Sequence, residues 1–231
     1  MKKLVPPTLV ALMLAALVAI PLPRANAQAG LVSSVLTRME KQKQSLRTLS
    51  ADISMEKYNS QLRDSDKYYG TIRYMPAGTK AASLVRLDWN KPQQEILVVA
   101  NGGYILYRPR LGQAIVGTTG SVRSAKDNDV LALLNMSAAQ LRSRFGDLDG
   151  SEETIWGNVH TTHLKAVPKV AASYQYIELW IDDSGLPVQT KMVEKNGDST
   201  TMRLSNVSRN GNLDKSVFDL KLDSSVKKIK G

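Results

Sequence analysis

GTIRYMPAGTKAASLVRLDWNKPQQEILVVANGGYILYRP, residues 70–109, alternates apolar and polar side chains in short runs broken by turn residues, the signature of antiparallel strands. The first run puts Ile72 and Tyr74 on one face, and the second puts Val85, Leu87 and Trp89 on one face. Residues 95–100, EILVVA, are apolar on both faces, which predicts a strand covered on both sides. Asn101-Gly102-Gly103 then turns the chain into Tyr104-Ile105-Leu106-Tyr107. The product is an antiparallel meander with an apolar inner surface.

A second meander is predicted towards the C-terminus. Strands are expected at 153–156, 159–167, 174–182, 187–195 and 199–207, ending with 217–222, and turns at Gly157-Asn158, Asp182-Asp183-Ser184-Gly185 and Asn196-Gly197-Asp198. Between the meanders, Asp127 or Asn128 is placed to cap a helix carrying Val130, Leu131, Leu133 and Leu134. Ser137 is placed to cap a second one carrying Leu141 and Phe145. Ahead of the sheet, Leu31, Val32, Val35, Leu36, Met39, Leu46 and Leu49 recur at helical spacing, predicting an amphipathic helix over 30–49 that packs on the sheet, with residues 50–58 as the first strand. The fold class is therefore α+β: an incomplete antiparallel β-barrel, a strongly curved sheet, with an N-terminal helix and a central helical lid.

The extreme N-terminus has another character. Two lysines, an apolar run from Leu4 to Leu22 and an Ala25-Asn26-Ala27 end have the three-part layout of an export signal cut after Ala27. Residues 1–27 are read as that signal and residues 28–231 as a single domain, long enough to bury a substantial core. The full chain carries 31 basic and 21 acidic residues. Without Lys2, Lys3 and Arg24 the balance is +7, with the basic residues dispersed and one tight cluster at Lys227, Lys228 and Lys230. Export removes nucleic acid as a partner, and leaves a solvated surface or attraction to an anionic membrane or acidic partner. Cysteine is absent, which excludes disulfides, thiol catalysis and cysteine-ligated metals.

Catalytic signals are weak. His160 and His163 are the only histidines, and a spacing of three on a strand sends them to opposite faces, against a shared metal or a pair of bases. Asp182-Asp183-Ser184-Gly185 has the look of a calcium-loop fragment without the closing glutamate, and reads as a hairpin turn. Residues 147–153, DLDGSEE, read as an acidic connection after a helix. No glycine-rich phosphate loop follows a strand, and no G-x-S-x-G elbow occurs. What the pattern does provide is a curved sheet with an apolar inside and short apolar helices over it. Such a hollow binds acyl chains at ~0.8 kcal/mol per CH₂ without any precise polar motif, and the same residue pattern equally describes an ordinary filled core, which composition by itself favours.

The order and spacing of several segments resemble a known family. Leu46-Arg-Thr-Leu-Ser-Ala-Asp-Ile53, Gly70-Thr-Ile-Arg-Tyr74, Leu84-Val-Arg-Leu-Asp-Trp89 with Lys91-Pro92, Asn101-Gly-Gly-Tyr-Ile-Leu-Tyr-Arg-Pro109, Leu179-Trp-Ile-Asp-Asp-Ser-Gly-Leu-Pro187 and Leu213-Asp-Lys-Ser-Val-Phe218 are similar to the outer-membrane lipoprotein carriers, the LolA-type periplasmic chaperones. The resemblance implies a periplasmic carrier, monomeric and without a cofactor. It would take acylated lipoproteins from an inner-membrane ABC-type exporter and pass them to an outer-membrane acceptor lipoprotein. The same fold serves relatives that bind other lipids or sense lipoproteins. On the sheet, the candidate cavity positions are Ile72, Tyr74, Val85, Leu87, Trp89, Ile96 and Val98; on the lid helix they are Leu131, Leu133 and Leu134. Met75 stands before Pro76 where the family carries a lid-latching Arg, so Lys80, Arg86 or apolar packing is expected to replace that latch.

Overall fold

The computed structural model describes residues 24–78, 82–119, 125–155 and 157–231. Helix α1 (Arg24–Ser45) is followed by β1 (Leu49–Asn59), β2 (Asp64–Met75), β3 (Leu84–Lys91), β4 (Glu95–Ala100), β5 (Gly103–Arg108) and β6 (Gln113–Thr118). Helices α2 (Ala125–Asn135) and α3 (Ala138–Arg144) come next, and then β7 (Phe145–Ile155), β8 (Val159–Pro168), β9 (Tyr174–Asp182), β10 (Pro187–Glu194), β11 (Ser199–Arg209) and β12 (Lys227–Lys230). All twelve strands form one sheet in the order β12-β6-β5-β4-β3-β2-β1-β11-β10-β9-β8-β7. The end strands β12 and β7 are not joined, so the α+β fold is a barrel left open. The two meanders meet where β1 pairs with β11, Ile53 opposite Leu204 and Met55 opposite Met202.

Period-two alternation decides what faces inward. Leu49, Ala51, Ile53 and Met55 of β1, Ile72 and Tyr74 of β2, Val85, Leu87 and Trp89 of β3 and Leu97 and Val99 of β4 form one apolar cluster with Val130 and Leu133 of α2. A second cluster fills the other half, where Val35, Leu36 and Met39 of α1 and Ala138 and Leu141 of α3 lie on Leu164, Ala166, Ile177, Leu179 and Ile181 of β8 and β9. Each helix buries its apolar stripe on the concave face, which the spacing of those residues requires.

The turns behave as their residues dictate. Asn101, Asn158, Gly157, Gly185 and Gly197 all adopt positive φ, the left-handed conformation that Asn and Gly tolerate. At Gly185 the need is double, because a Cβ there would lie 2.3 Å from the carbonyl of Arg38 in α1.

Four boundaries differ from the sequence reading. Helix α1 stops at Ser45 rather than at 49, because Leu49 is the first residue of β1 and its side chain is buried under the sheet's inner face. Helix α2 begins before Asp127, which sits inside its first turn instead of capping it. The acidic segment 147–153 is strand rather than connection, since β7 runs along β8 from Phe145 to Ile155. Residues 217–222 are not a strand: Asp214 accepts a 2.7 Å hydrogen bond from the Ser216 amide and winds Lys215–Phe218 into a 3₁₀ turn. Phe218 is buried, and this segment packs on the outer side of β3 and β4. The last strand is β12, parallel to β6. Ser137 caps α3 as expected, accepting from the Gln140 amide. The apolar run of the expected signal, Lys80, residues 120–124 and Trp156 lie outside the described residues. None of the described helices is long and apolar enough to cross a membrane.

Candidate functional site: an apolar cleft beneath helix α2

The concave sheet is the floor, α2 the roof, and the C-terminal part of α1 one wall. Between them lies a cleft of about 240 Å³, with Leu46, Leu49, Tyr74, Leu133, Leu134 and Leu186 among its lining. On the other side of α2 is a smaller one of about 90 Å³, with Ile177, Leu179, Met192 and Met202 on the sheet side. Leu133 of α2 and Met136 just past its end line both, so the C-terminal end of this helix is the partition between the two spaces. The larger cleft falls below the ~300–1,000 Å³ typical of a small-molecule pocket.

What holds α2 in place is polar at its start and apolar at its end. Trp89 is fully buried, and its indole Nε1 donates a 2.9 Å hydrogen bond to Oδ1 of Asp127. Lys126 pairs with the buried Glu95 of β4 and lies 5.6 Å and 5.7 Å from the ring centroids of Tyr68 and Trp89. Lys57 of β1 reaches Asp129 at 3.2 Å. Burial is the main influence on Lys126 and Asp129: it lowers the Lys126 pKa, and it raises that of Asp129 although Lys57 opposes the shift. Oδ2 of Asp127 is buried and has no hydrogen-bond partner among the described residues. Ionic groups held against the cost of burial therefore tie this end of the helix to the sheet. One turn further on, Val130 and Leu133 are buried, and Leu131 and Leu134 are partly buried against the same core.

The candidate positions separate into three groups. Tyr74, Leu133 and Leu134 line the larger cleft. Ile72, Val85, Leu87 and Trp89 face the same interior but are fully packed, and Leu131 is packed against their cluster. Ile96 and Val98 are in register with Asp88 and Arg86, which places them on the outer face. That answers the two-sided apolarity of β4: Leu97 and Val99 face in, and Val98 is buried outside beside Phe218 of the C-terminal segment. Met75 pairs with Leu84 at the sheet margin, one residue out of phase with Tyr74. Arg86 does not latch the lid. It points outward, bonded to Asp88 at 2.9 Å and donating to the Val217 carbonyl at 3.0 Å, with Arg73 on the same carboxylate.

Sequence reasoning missed Leu46, Leu49, Met136, Leu186 and Leu204 as lining, and the fastening by Asp127. A tryptophan on the inner face of a strand was the available signal, because a buried indole N–H needs an acceptor. His160 meets Asp183, and His163 stacks on Trp180 with ring centroids 4.6 Å apart. Among the described residues, no group of three or more His, Asp or Glu is arranged to hold a metal ion.

An open barrel with helices laid across an apolar hollow is an architecture suited to enclosing an apolar ligand. Residues 79–221 match the family of the outer membrane lipoprotein carrier protein LolA, and the chain belongs to that family. No curated protein matches it closely enough to count as a relative. Among solved structures it is similar to an uncharacterized conserved protein from Thermus thermophilus, with 12% identity over 86% of this chain and 98% of that one and a TM-score of 0.56. It is also similar to MucB, with 16% identity over 85% of this chain and a TM-score of 0.57. The complex of Pseudomonas aeruginosa MucA and MucB matches at 14% identity over 86% of this chain and 63% of that one, with a TM-score of 0.52. The alignment spans 64% of the length of MucB. At these identities the likeness is one of fold.

Proposed function

We propose that this chain is a periplasmic carrier that buries the acyl chains of lipoproteins beneath α2 and shuttles them from the inner to the outer membrane. In this reading residues 1–27 are removed on export and 28–231 act as one monomeric domain. The observation that carries it is that Leu133 and Met136, at the end of a single helix, divide two apolar clefts, so that lifting α2 joins them into one groove. Family membership supports lipoproteins as the cargo class. The donor is an inner-membrane ABC-type exporter and the acceptor an outer-membrane lipoprotein. No chemistry is needed for direction: each successive carrier must only hold the acyl chains more tightly than the last. A roof fastened by ion pairs that are costly to bury suits a carrier that must also let go.

The test is to purify the protein from envelopes and identify what it holds by mass spectrometry. Acylated peptides are the expected result. Free phospholipid would support instead the lipid-binding or lipoprotein-sensing alternative on the same fold. A protein that carries nothing and takes up no dansyl-labelled fatty acid would overturn both.

A further inference from the structure

The two most exposed large apolar side chains among the described residues, Leu62 at 77% and Val170 at 76%, stand at the same end of the sheet. Leu62 is in the β1–β2 hairpin and Val170 in the β8–β9 loop. Tyr58, Ser199, Val193 and Tyr176 form one continuous row across β1, β11, β10 and β9, and Ala166 opposes Ile177 just below it. Leu62 lies four residues beyond Tyr58, and Val170 four beyond Ala166, so the two tips extend past the row by a similar length of chain. They are separated by four strands, roughly 19 Å along the sheet. A third exposed residue, Leu111 at 58%, occupies the β5–β6 turn at the same end, four strands to the other side of Leu62.

Each tip is joined to a basic neighbour that is itself exposed: Leu62 to Arg63, Val170 to Lys169, Leu111 to Arg110. Lys195 lies in the turn between the first two, and Arg142 and Arg144 end α3 beside the β8–β9 loop. The same end also carries the carboxylates of Asp64, Asp66, Glu194 and Asp198, of which Asp198 accepts from the amide and hydroxyl of Ser60 and Asp64 from the Ser65 amide, against Arg63, Arg110, Arg142, Arg144, Lys169 and Lys195 on the basic side. Single exposed apolar residues are common on solvated surfaces, and what sets these apart is that each is joined to an exposed basic residue at one end of the sheet. Apolar tips flanked by lysine and arginine match the boundary between headgroups and acyl chains of an anionic membrane, where the apolar group inserts and the cation meets phosphate.

We infer that this rim docks the protein on anionic phospholipid through Leu62 and Val170, with Arg63, Lys169 and Lys195 as the charge partners. Docking brings the smaller cleft to the bilayer, because Ile177, Met192 and Thr200 of its lining each adjoin a residue of the row below the tips. This contact needs no cargo, so it stands or falls apart from the carrier reading.

The test is co-sedimentation of the envelope-purified protein with vesicles of phosphatidylglycerol and phosphatidylcholine (1:3) or of phosphatidylcholine alone. Its N-terminus is defined by intact mass, so that a retained leader is not mistaken for the rim. The expected result is binding to the anionic vesicles at least tenfold stronger than to the neutral ones, weakened by salt. Leu62→Asp with Val170→Asp should lower it at least tenfold, and Arg63→Glu with Lys195→Glu should lower it several-fold, each with an unchanged circular dichroism spectrum. Equal binding to both vesicle types, or wild-type binding by the Leu62/Val170 variant, overturns the proposal. So does a wild-type protein that stays in the supernatant, which would leave a protein partner as the occupant of this rim.

Discussion

The indole nitrogen of Trp89, on the floor of the hollow, donates to the carboxylate of Asp127 in the first turn of the roof, 2.9 Å away and out of reach of water. The two residues are 38 apart in sequence, and their bond ties α2 to β3. Asp127→Ala would leave a buried donor unpaired at a cost of about 1–3 kcal/mol. Hydrogen exchange should show the loss concentrated in α2, with its amides exchanging faster while those of β1 and β11 keep their protection. Protection lost evenly over the whole sheet would mean that Asp127 supports the core and not the lid.

Leu87 and Leu134 should part company under the same substitution. Leu87 is wholly enclosed, so Leu87→Glu places an unpaired charge in the core and should abolish folding of the sheet. Leu134 is partly exposed at the larger cleft, so Leu134→Glu should fold normally and bind a dansyl-labelled fatty acid at least tenfold more weakly, roughly 1.4 kcal/mol or more. Fluorescence titration on folded Leu134→Glu protein reads this directly, and full affinity there would move the cavity elsewhere.

Gly185 is a joint between α1 and the β9–β10 turn. Its φ of +91° strains any other residue, and an added Cβ would meet the Arg38 carbonyl and the Met39 amide nitrogen at 2.3–2.7 Å. Gly185→Ala must therefore push α1 off the sheet as well as strain the turn, costing about 1–3 kcal/mol for the backbone alone. Thermal unfolding should show a midpoint lower by at least about 2 °C.

His160 gives a pH signature at the same end of the sheet as Gly185. Its hydrogen bond to Asp183, reinforced by the charge of that carboxylate, raises its pKa above the usual 6.5. The folded state thus binds this proton more tightly than the unfolded one. The contribution is complete below pH 6.5 and fades as the pH rises through the folded value. An NMR titration should place His160 above 6.5 and Asp183→Asn should bring it down; the effect on stability is small because the pair is exposed.

Some of this architecture was readable residue by residue. The alternation in Ile72/Tyr74 and Val85/Leu87/Trp89 fixed their face, because neighbouring side chains on a strand point opposite ways and one side must be dry. Asn and Gly at the turns announced conformations that other residues resist. The same local logic failed at Val217 and Phe218, whose apolar character came from covering the outside of β4 and not from a strand of their own.

Read in order, the residues were enough to set most of the strands, their inward faces, the turns and the amphipathic helices, since each depends on side chains only a few positions apart. Only the assembled fold could establish that β1 pairs with β11, that β12 closes the far edge in parallel, that Asp127 answers Trp89, and that Ile96 and Val98 face outward beneath or beside a late segment of chain. It also established where the hollow remains. Pairing and covering depend on groups brought together from distant parts of the chain, and a cavity is the space such packing fails to fill, a quantity no single residue carries.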